Sequence, residues 1–200
     1  MVQISSVIIE HIKEQCSSRP GLVLAYYYFD FNHSEKQNAT NFLSSLIAQL
    51  CDKVAILPMH LKNLYKISKR GLERPSVHGL KAILPSIAAN FDNIFIVGDA
   101  LDECPDTDNR REELLRLIND IHCQSLKNVH MLVTSREKAD IEETLRPLST
   151  IPPICMQDAG IEADIAVYVK RQLASNHFKH WPEGIKRDVE LTLVRESHGM

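Results

Sequence analysis

Within NIFIVGDALDECPD (93–106), four apolar residues, Ile94 to Val97, run into Gly98 and then into Asp99, Asp102, Glu103 and Asp106, with Asp108 two residues on. Carboxylates this dense repel one another unless a cation lies among them. One chemistry fits the spacing: Asp99 holds Mg²⁺, directly or through water, while Asp102 or Glu103 orients or deprotonates an attacking water. Mg²⁺ held this way takes further ligands from substrate phosphate oxygens. The plainer reading is a solvated turn whose acids cap the next helix, and it suits Asp106 and Asp108 best. A second group stands at the end of VHMLVTSR (129–136), where Thr134, Ser135 and Arg136 follow an apolar run. A guanidinium there either reaches a terminal phosphate or pairs with one of the acids. A third arrangement would gather Asp30, Asp99, Asp102 and Glu103 around two metals in a hydrolase. It is the weakest of the three, because no histidine keeps ligand spacing with them.

These groups need strand ends to hold them. IFIVGD (94–99) lacks polar alternation, as does a strand covered on both faces of a parallel sheet. LVLAYYYFDF (22–31) and VHMLVTS (129–135) read as further strands, and TIPPICMQ (150–157) as a fourth, placed near an edge by Pro152 and Pro153. Helical spacing of Ile4, Val7, Ile8, His11 and Ile12 predicts a helix over 3–16. A second helix carries Phe42, Leu43, Leu46, Ile47 and Leu50 to residue 51, with Ser34 as its expected N-cap. Pro58 opens a third, and Ser76 caps a fourth in which Pro85 predicts a kink or an early stop. Helices are also expected around Leu114 to Ile121 and over 138–146, 161–176 and 182–197. Strands alternating with helices predict an α/β sheet with helices on both faces. Ligands of such sheets sit at the carboxyl ends of the strands.

Composition narrows the classes. With 200 residues, 44% hydrophobic and 24% charged, the chain suits a soluble globular domain. A net charge of -3 argues against nucleic acid and anionic membranes as partners. No apolar run is long enough to span a bilayer, and the N-terminus lacks the form of a secretion signal. Cys16, Cys51, Cys104, Cys123 and Cys155 are scattered without a CxxC pair, which fits reduced thiols in the cytoplasm. His177 and His180 read as a solvated helix end, Lys69 and Arg70 as a polar helix end, Trp181 as an anchor for the last helix, and Tyr26 to Tyr28 as sheet packing.

Taken together, these stretches resemble a known family. NIFIVGDALDECPD resembles the extended Walker B motif of NACHT-type P-loop NTPases, and NVHMLVTSRE resembles their sensor-1 strand. LVLAYYYFDFN, NFLSSLIAQLC and DIAVYVKRQL are similar to the nephrocystin-like NACHT proteins abundant in fungi, which belong to the signal-transduction ATPases with numerous domains. The resemblance implies binding of ATP or GTP with Mg²⁺, self-association or association with related NACHT proteins, and a switch function. It matches Asp99 to the Mg²⁺-associated acid, Asp102 and Glu103 to the pair that positions water, and Arg136 to sensor 1. Gly98 departs from the pattern, where a large apolar residue is usual, so a small void is expected there.

Half of such a site is missing. None of the seven glycines begins a GxxxxGK[ST] string, whose backbone N–H groups and lysine cradle phosphates. In the family that loop stands just before a helix resembling SSVIIEHIKEQC, so the first strand and the phosphate loop are expected upstream of Met1. The expected architecture is a P-loop NTPase-like parallel sheet flanked by helices, lacking its first strand and phosphate loop, over 1–158. The start of a helical extension follows over 159–200. SHGM (197–200) resembles the start of a motif that continues further. The resulting expectation is a nucleotide-switch fragment that binds nucleotide poorly alone. The alternative is a non-enzymatic interaction module or decoy of full-length NACHT proteins.

Overall fold

A computed structural model describes the backbone of residues 2–54, 56–68, 72–154 and 160–196. Cys155, Lys69, Arg70, the SHGM tail and residues 155–157 of the expected fourth strand lie outside the described residues. Met1–Thr150 and Ile151–Met200 form two compact units.

In the first unit, β1 (Leu22–Tyr28), β2 (Asn93–Asp99) and β3 (Val129–Val133) form a parallel sheet in the order β1-β2-β3. The register pairs Leu24 with Phe95, Tyr26 with Val97 and Tyr28 with Asp99, and across β2 it pairs Val97 with Leu132. Alternation along the strands then divides the side chains between two faces. Val23, Ala25, Tyr27, Ile94 and Ile96 enter the main core with Phe42, Leu43, Leu46 and Leu50 of α2 (Ala39–Cys51), Leu80, Leu84 and Ile87 of α4 (Val77–Ala88), and Leu114, Leu117 and Ile118 of α5 (Arg110–Cys123). Each of the Val, Leu, Ile and Phe side chains among them contributes about 1.5–3 kcal/mol by leaving water. The opposite face of β1 and β2 lies under α1 (Val2–Ser18). There Ile9 is buried and the Lys13 ammonium stands 5.1 Å from the centre of the Tyr26 ring. Over β3 that face is bare: His130 and Leu132 are exposed. The α/β architecture and the helices flanking a parallel sheet are as expected.

Four expectations change. β1 ends at Tyr28 rather than 31, because the Asp30 carboxylate accepts from the Asn32 N–H at 2.9 Å and meets His33 Nδ1 at 2.6 Å, closing a turn. Ser34 does not cap α2; it begins a short 3₁₀ turn, and Asn38 caps the helix by accepting from the Asn41 N–H. Pro85 does not stop α4, which runs to Ala88. Proline has no N–H for the Lys81 carbonyl, and Gln124 Nε2 donates to that carbonyl instead, at 3.2 Å. Residues 150–154 form no strand, so among the described residues the sheet has three strands.

The free edge of β1 is occupied by a side chain. Gln49 of α2 accepts from the Tyr26 N–H at 3.0 Å and donates to the Tyr26 carbonyl at 2.8 Å. One amide thus satisfies both groups that a neighbouring strand would take.

Gly98 does leave space. A methyl group there would lie 3.8 Å from Phe29 and 3.9 Å from both Phe42 and Val133, which is ordinary contact. Gly98→Ala should therefore raise stability by about 0.5–1 kcal/mol through a less flexible unfolded chain and better packing. Urea unfolding reads this directly, and a lowered midpoint would show that the aromatic pair cannot accommodate the methyl.

In the second unit, α7 (Gly160–Leu173) and α8 (Glu183–Glu196) pack together. Before α8, Trp181 meets Phe178 of the preceding 3₁₀ turn edge-to-face at 5.0 Å and remains exposed.

Candidate functional site

Asp99 is the last residue of β2 and is 1% exposed. Register places it opposite Tyr28, and the Phe29 N–H donates to its carbonyl. Its side chain points to the α1 face, where the Ser5 hydroxyl donates to Oδ1. The Thr134 hydroxyl donates to the same oxygen at 2.6 Å. Thr134 is itself positioned by the Ala100 N–H, which donates to its Oγ1 at 3.0 Å, and by backbone bonds to Gly98 and Leu101. One carboxylate thus ties together α1, β2 and the segment after β3.

The chain then turns sharply. Ala100 sits in the left-handed region at φ 57°, a conformation that costs a residue with a Cβ on the order of 1 kcal/mol. This bend sends Leu101 into the core and brings Asp102 across to Arg136. Asp102 Oδ1 accepts from the Arg136 N–H at 3.0 Å, and Arg136 Nε stands 3.5 Å from Oδ2. The Asp102 side chain is 6% exposed and that of Arg136 is 71% exposed. Of the two readings open for Arg136, pairing with a nearby acid is the one realised in this conformation. Glu103 faces elsewhere: its Oε2 accepts from the Phe31 N–H at 3.2 Å. The loop after β1 is held further by Gln37, whose Nε2 donates to the carbonyls of Asp30 and Phe31. The Cys104 thiol donates to the Gln37 carbonyl at 3.2 Å. Burial pushes that thiol up to about 11, so it stays protonated and keeps this bond near neutral pH.

Arg111 fixes the acidic loop from beneath. It is buried, with Nε donating to the Cys104 carbonyl at 2.8 Å and Nη2 to the Asp102 carbonyl at 3.2 Å. Nη1 reaches Asp140 at 3.2 Å, at the start of α6 (Ala139–Leu145). Sequence reasoning passed over both Ser5 and Arg111. Spacing held a signal for each: Arg111 shares a helical face with Leu114, Leu115 and Ile118, and Ser5 shares one with Ile9.

The geometry brings Asp99, Asp102 and Arg136 to adjacent carboxyl ends of β2 and β3, with Glu103 one step aside. It does not gather Asp30. That carboxylate is spent on Asn32, His33 and, at 3.8 Å, Lys36, with the backbone bond from Asn32 foremost in holding it below the usual aspartate range. Among the described residues no three His, Cys, Asp or Glu side chains lie together as a metal-holding group. The dinuclear hydrolase arrangement is therefore not formed. A single Mg²⁺ beside Asp99 is a different case. Asp99, Ser5 and Thr134 offer hard oxygen donors, which suit Mg²⁺ when phosphate and water complete its shell. Asp106 and Asp108 stay at the surface and take no part in the cluster.

The class defined by these features is an α/β protein with a parallel sheet whose acidic turn and arginine meet at the strand ends. The chain belongs to the family described as nephrocystin 3, N-terminal, whose match spans residues 3–136. That match begins in α1 and ends on Arg136, so it contains the whole cluster. No curated protein and no solved structure matches the chain. Among the described residues, no helix is long and apolar enough to cross a membrane.

Proposed function

We propose that this region is the magnesium- and water-facing half of a nucleotide site in a NACHT-type signalling switch. The observation that carries the reading is the meeting of Asp99, Thr134, Asp102 and Arg136 at the carboxyl ends of two neighbouring parallel strands. In this reading Asp99 stands beside Mg²⁺, which would neutralise phosphate charge. Asp102 holds Arg136 ready until a phosphate group competes for the guanidinium. Glu103, held by the Phe31 N–H, sets the loop after β1 against the acidic turn. The 200 residues contain no GxxxxGK[ST] string, so they lack the lysine and backbone cradle that supply much of a P-loop's phosphate affinity.

The expected behaviour is weak, Mg²⁺-dependent ATP or GTP binding, well short of micromolar affinity. An NMR titration with nucleotide and Mg²⁺ should move the signals of Ala100 to Glu103 and Thr134 to Arg136. Shifts confined to other regions would remove the site assignment, and micromolar affinity would remove the claim of a missing cradle.

The second reading, an interaction module, is favoured by one observation. In and beside α3 (Met59–Ile67), Met59, Tyr65, Ile67 and Leu72 are exposed. Retention of partner binding by Asp99→Asn, in a pull-down against a full-length relative, would favour this reading over the nucleotide switch.

A further inference from the structure

A polar hollow of about 300 Å³ lies apart from the acidic turn, lined by Ser34, Glu35, Asn38, Asn41, Arg74 and Arg110. Its residues come from three separate segments: the loop and first turn of α2, the segment before α4, and the first residue of α5. We infer that this hollow is a binding site for a phosphate-type oxyanion, held between the guanidinium groups of Arg74 and Arg110.

Three features lead there. First, two arginines face one concavity in a chain whose net charge is -3. Like charges are brought together at a cost that an anion between them removes. Second, neither guanidinium is well matched within the fold. The nearest carboxylate to Arg110 is Asp108 at 3.8 Å, itself 79% exposed, which is too long for a hydrogen bond. Arg74 is exposed and makes no hydrogen bond or ion pair among the described residues. Third, the remaining polar groups favour an anion over a cation. Asn38 and Asn41 are spent on the α2 cap and on the Glu35 carbonyl, which fixes the wall. The Ser34 hydroxyl is left as a donor, and the first turn of α2, which carries no acidic residue, adds partial positive charge. Glu35 is the one acidic group lining the hollow. Its charge opposes any anion, and the two guanidiniums outweigh it. Arginine suits this ligand because its planar fork matches phosphate oxygens in a bidentate way.

The ligand is either free phosphate or a phosphoryl group carried on a peptide. The inference does not depend on the nucleotide reading, since no residue of the hollow belongs to the Asp99–Asp102–Arg136 cluster. The test titrates the full chain with inorganic phosphate, and in parallel with a phosphoserine peptide and its unphosphorylated form, following the arginine Nε–H signals by NMR. Saturable binding is expected, weakened roughly tenfold by Arg74→Ala or Arg110→Ala, a loss matching one charge-assisted contact. Glu35→Gln should tighten it. Arg116→Ala, which removes an exposed arginine paired with Glu112 elsewhere on α5, should change nothing. A peptide that binds more tightly than phosphate identifies a protein-borne ligand, and equal affinity identifies the free ion. Absence of saturation with either probe, or equal losses in the Arg116 variant, overturns the inference.

Discussion

Asp99→Ala is expected to lower the unfolding free energy by about 3 kcal/mol, because hydrogen bonds to a charged group are worth about 1.5–3 kcal/mol each and this oxygen accepts two. The carboxylate is buried in this conformation and bridges α1, β2 and the turn after β3. Alanine strands the Ser5 and Thr134 hydroxyls in a dry setting and leaves a void where the carboxyl stood. Asp99→Asn keeps an oxygen in place for both hydroxyls and should cost about 1 kcal/mol, the scale of a neutral hydrogen bond. Urea unfolding at constant pH separates the two variants. An alanine variant as stable as the parent chain would show that the hydroxyl pair contributes nothing to holding α1 on the sheet. The two variants also divide structure from chemistry: asparagine preserves the tie while removing the charge that Mg²⁺ would need.

Arg111→Ala should cost a similar amount, about 3 kcal/mol, since breaking a buried, hydrogen-bonded charge leaves its partners unsatisfied. Two of those partners are carbonyls of the acidic loop, Asp102 and Cys104, and the third is Asp140 on α6. Arg111→Lys should recover less than half of the loss, because an ammonium cannot reproduce the planar fork that serves three acceptors. Asp140→Ala should cost much less, since that carboxylate is partly solvated and its share of the pair is screened. If alanine and lysine behave alike, the guanidinium geometry is irrelevant. If Asp140→Ala matches Arg111→Ala, the ion pair rather than the loop carbonyls holds the arginine.

Much of the sheet was legible because its strands are apolar runs bounded by breakers. Ile94 to Val97 without polar alternation suggests a covered strand, and in the structure Ile94, Ile96 and Val97 are buried. The end of β1 was not legible. Phe29 and Phe31 have strand composition, and the bonds that Asn32 and His33 make back to Asp30 end the strand. Ser34 and Asn38 are equally good caps by residue type, so the choice between them lay in the intervening turn. Pro85 misled because its consequence depends on a partner 39 residues away: Gln124 occupies the carbonyl that proline leaves open. The fourth expected strand rested on β-prone residues around two prolines, a composition that does not by itself supply a neighbour to pair with. At the site, the convergence of Asp102 with Arg136 followed from placing both at strand ends. The retreat of Glu103 to the Phe31 N–H did not, since nothing in spacing tells which acid turns toward the next loop. Ser5 and Arg111 were hidden for a shared reason. A hydroxyl or a guanidinium on an apolar helical face reads as a flaw in the pattern until its buried acceptor is known.

The Gln49 amide makes growth of the sheet one-sided. By closing the middle of the β1 margin with a single side chain, it disfavours an incoming strand on that flank, while among the described residues no strand pairs with the outer margin of β3. Pairing, whether with another part of the same polypeptide or with a second molecule, is thereby steered to the flank that carries Thr134 and Arg136. Assembly and chemistry would then share one border of the domain, so whatever docks there also decides how closely the acidic turn is enclosed.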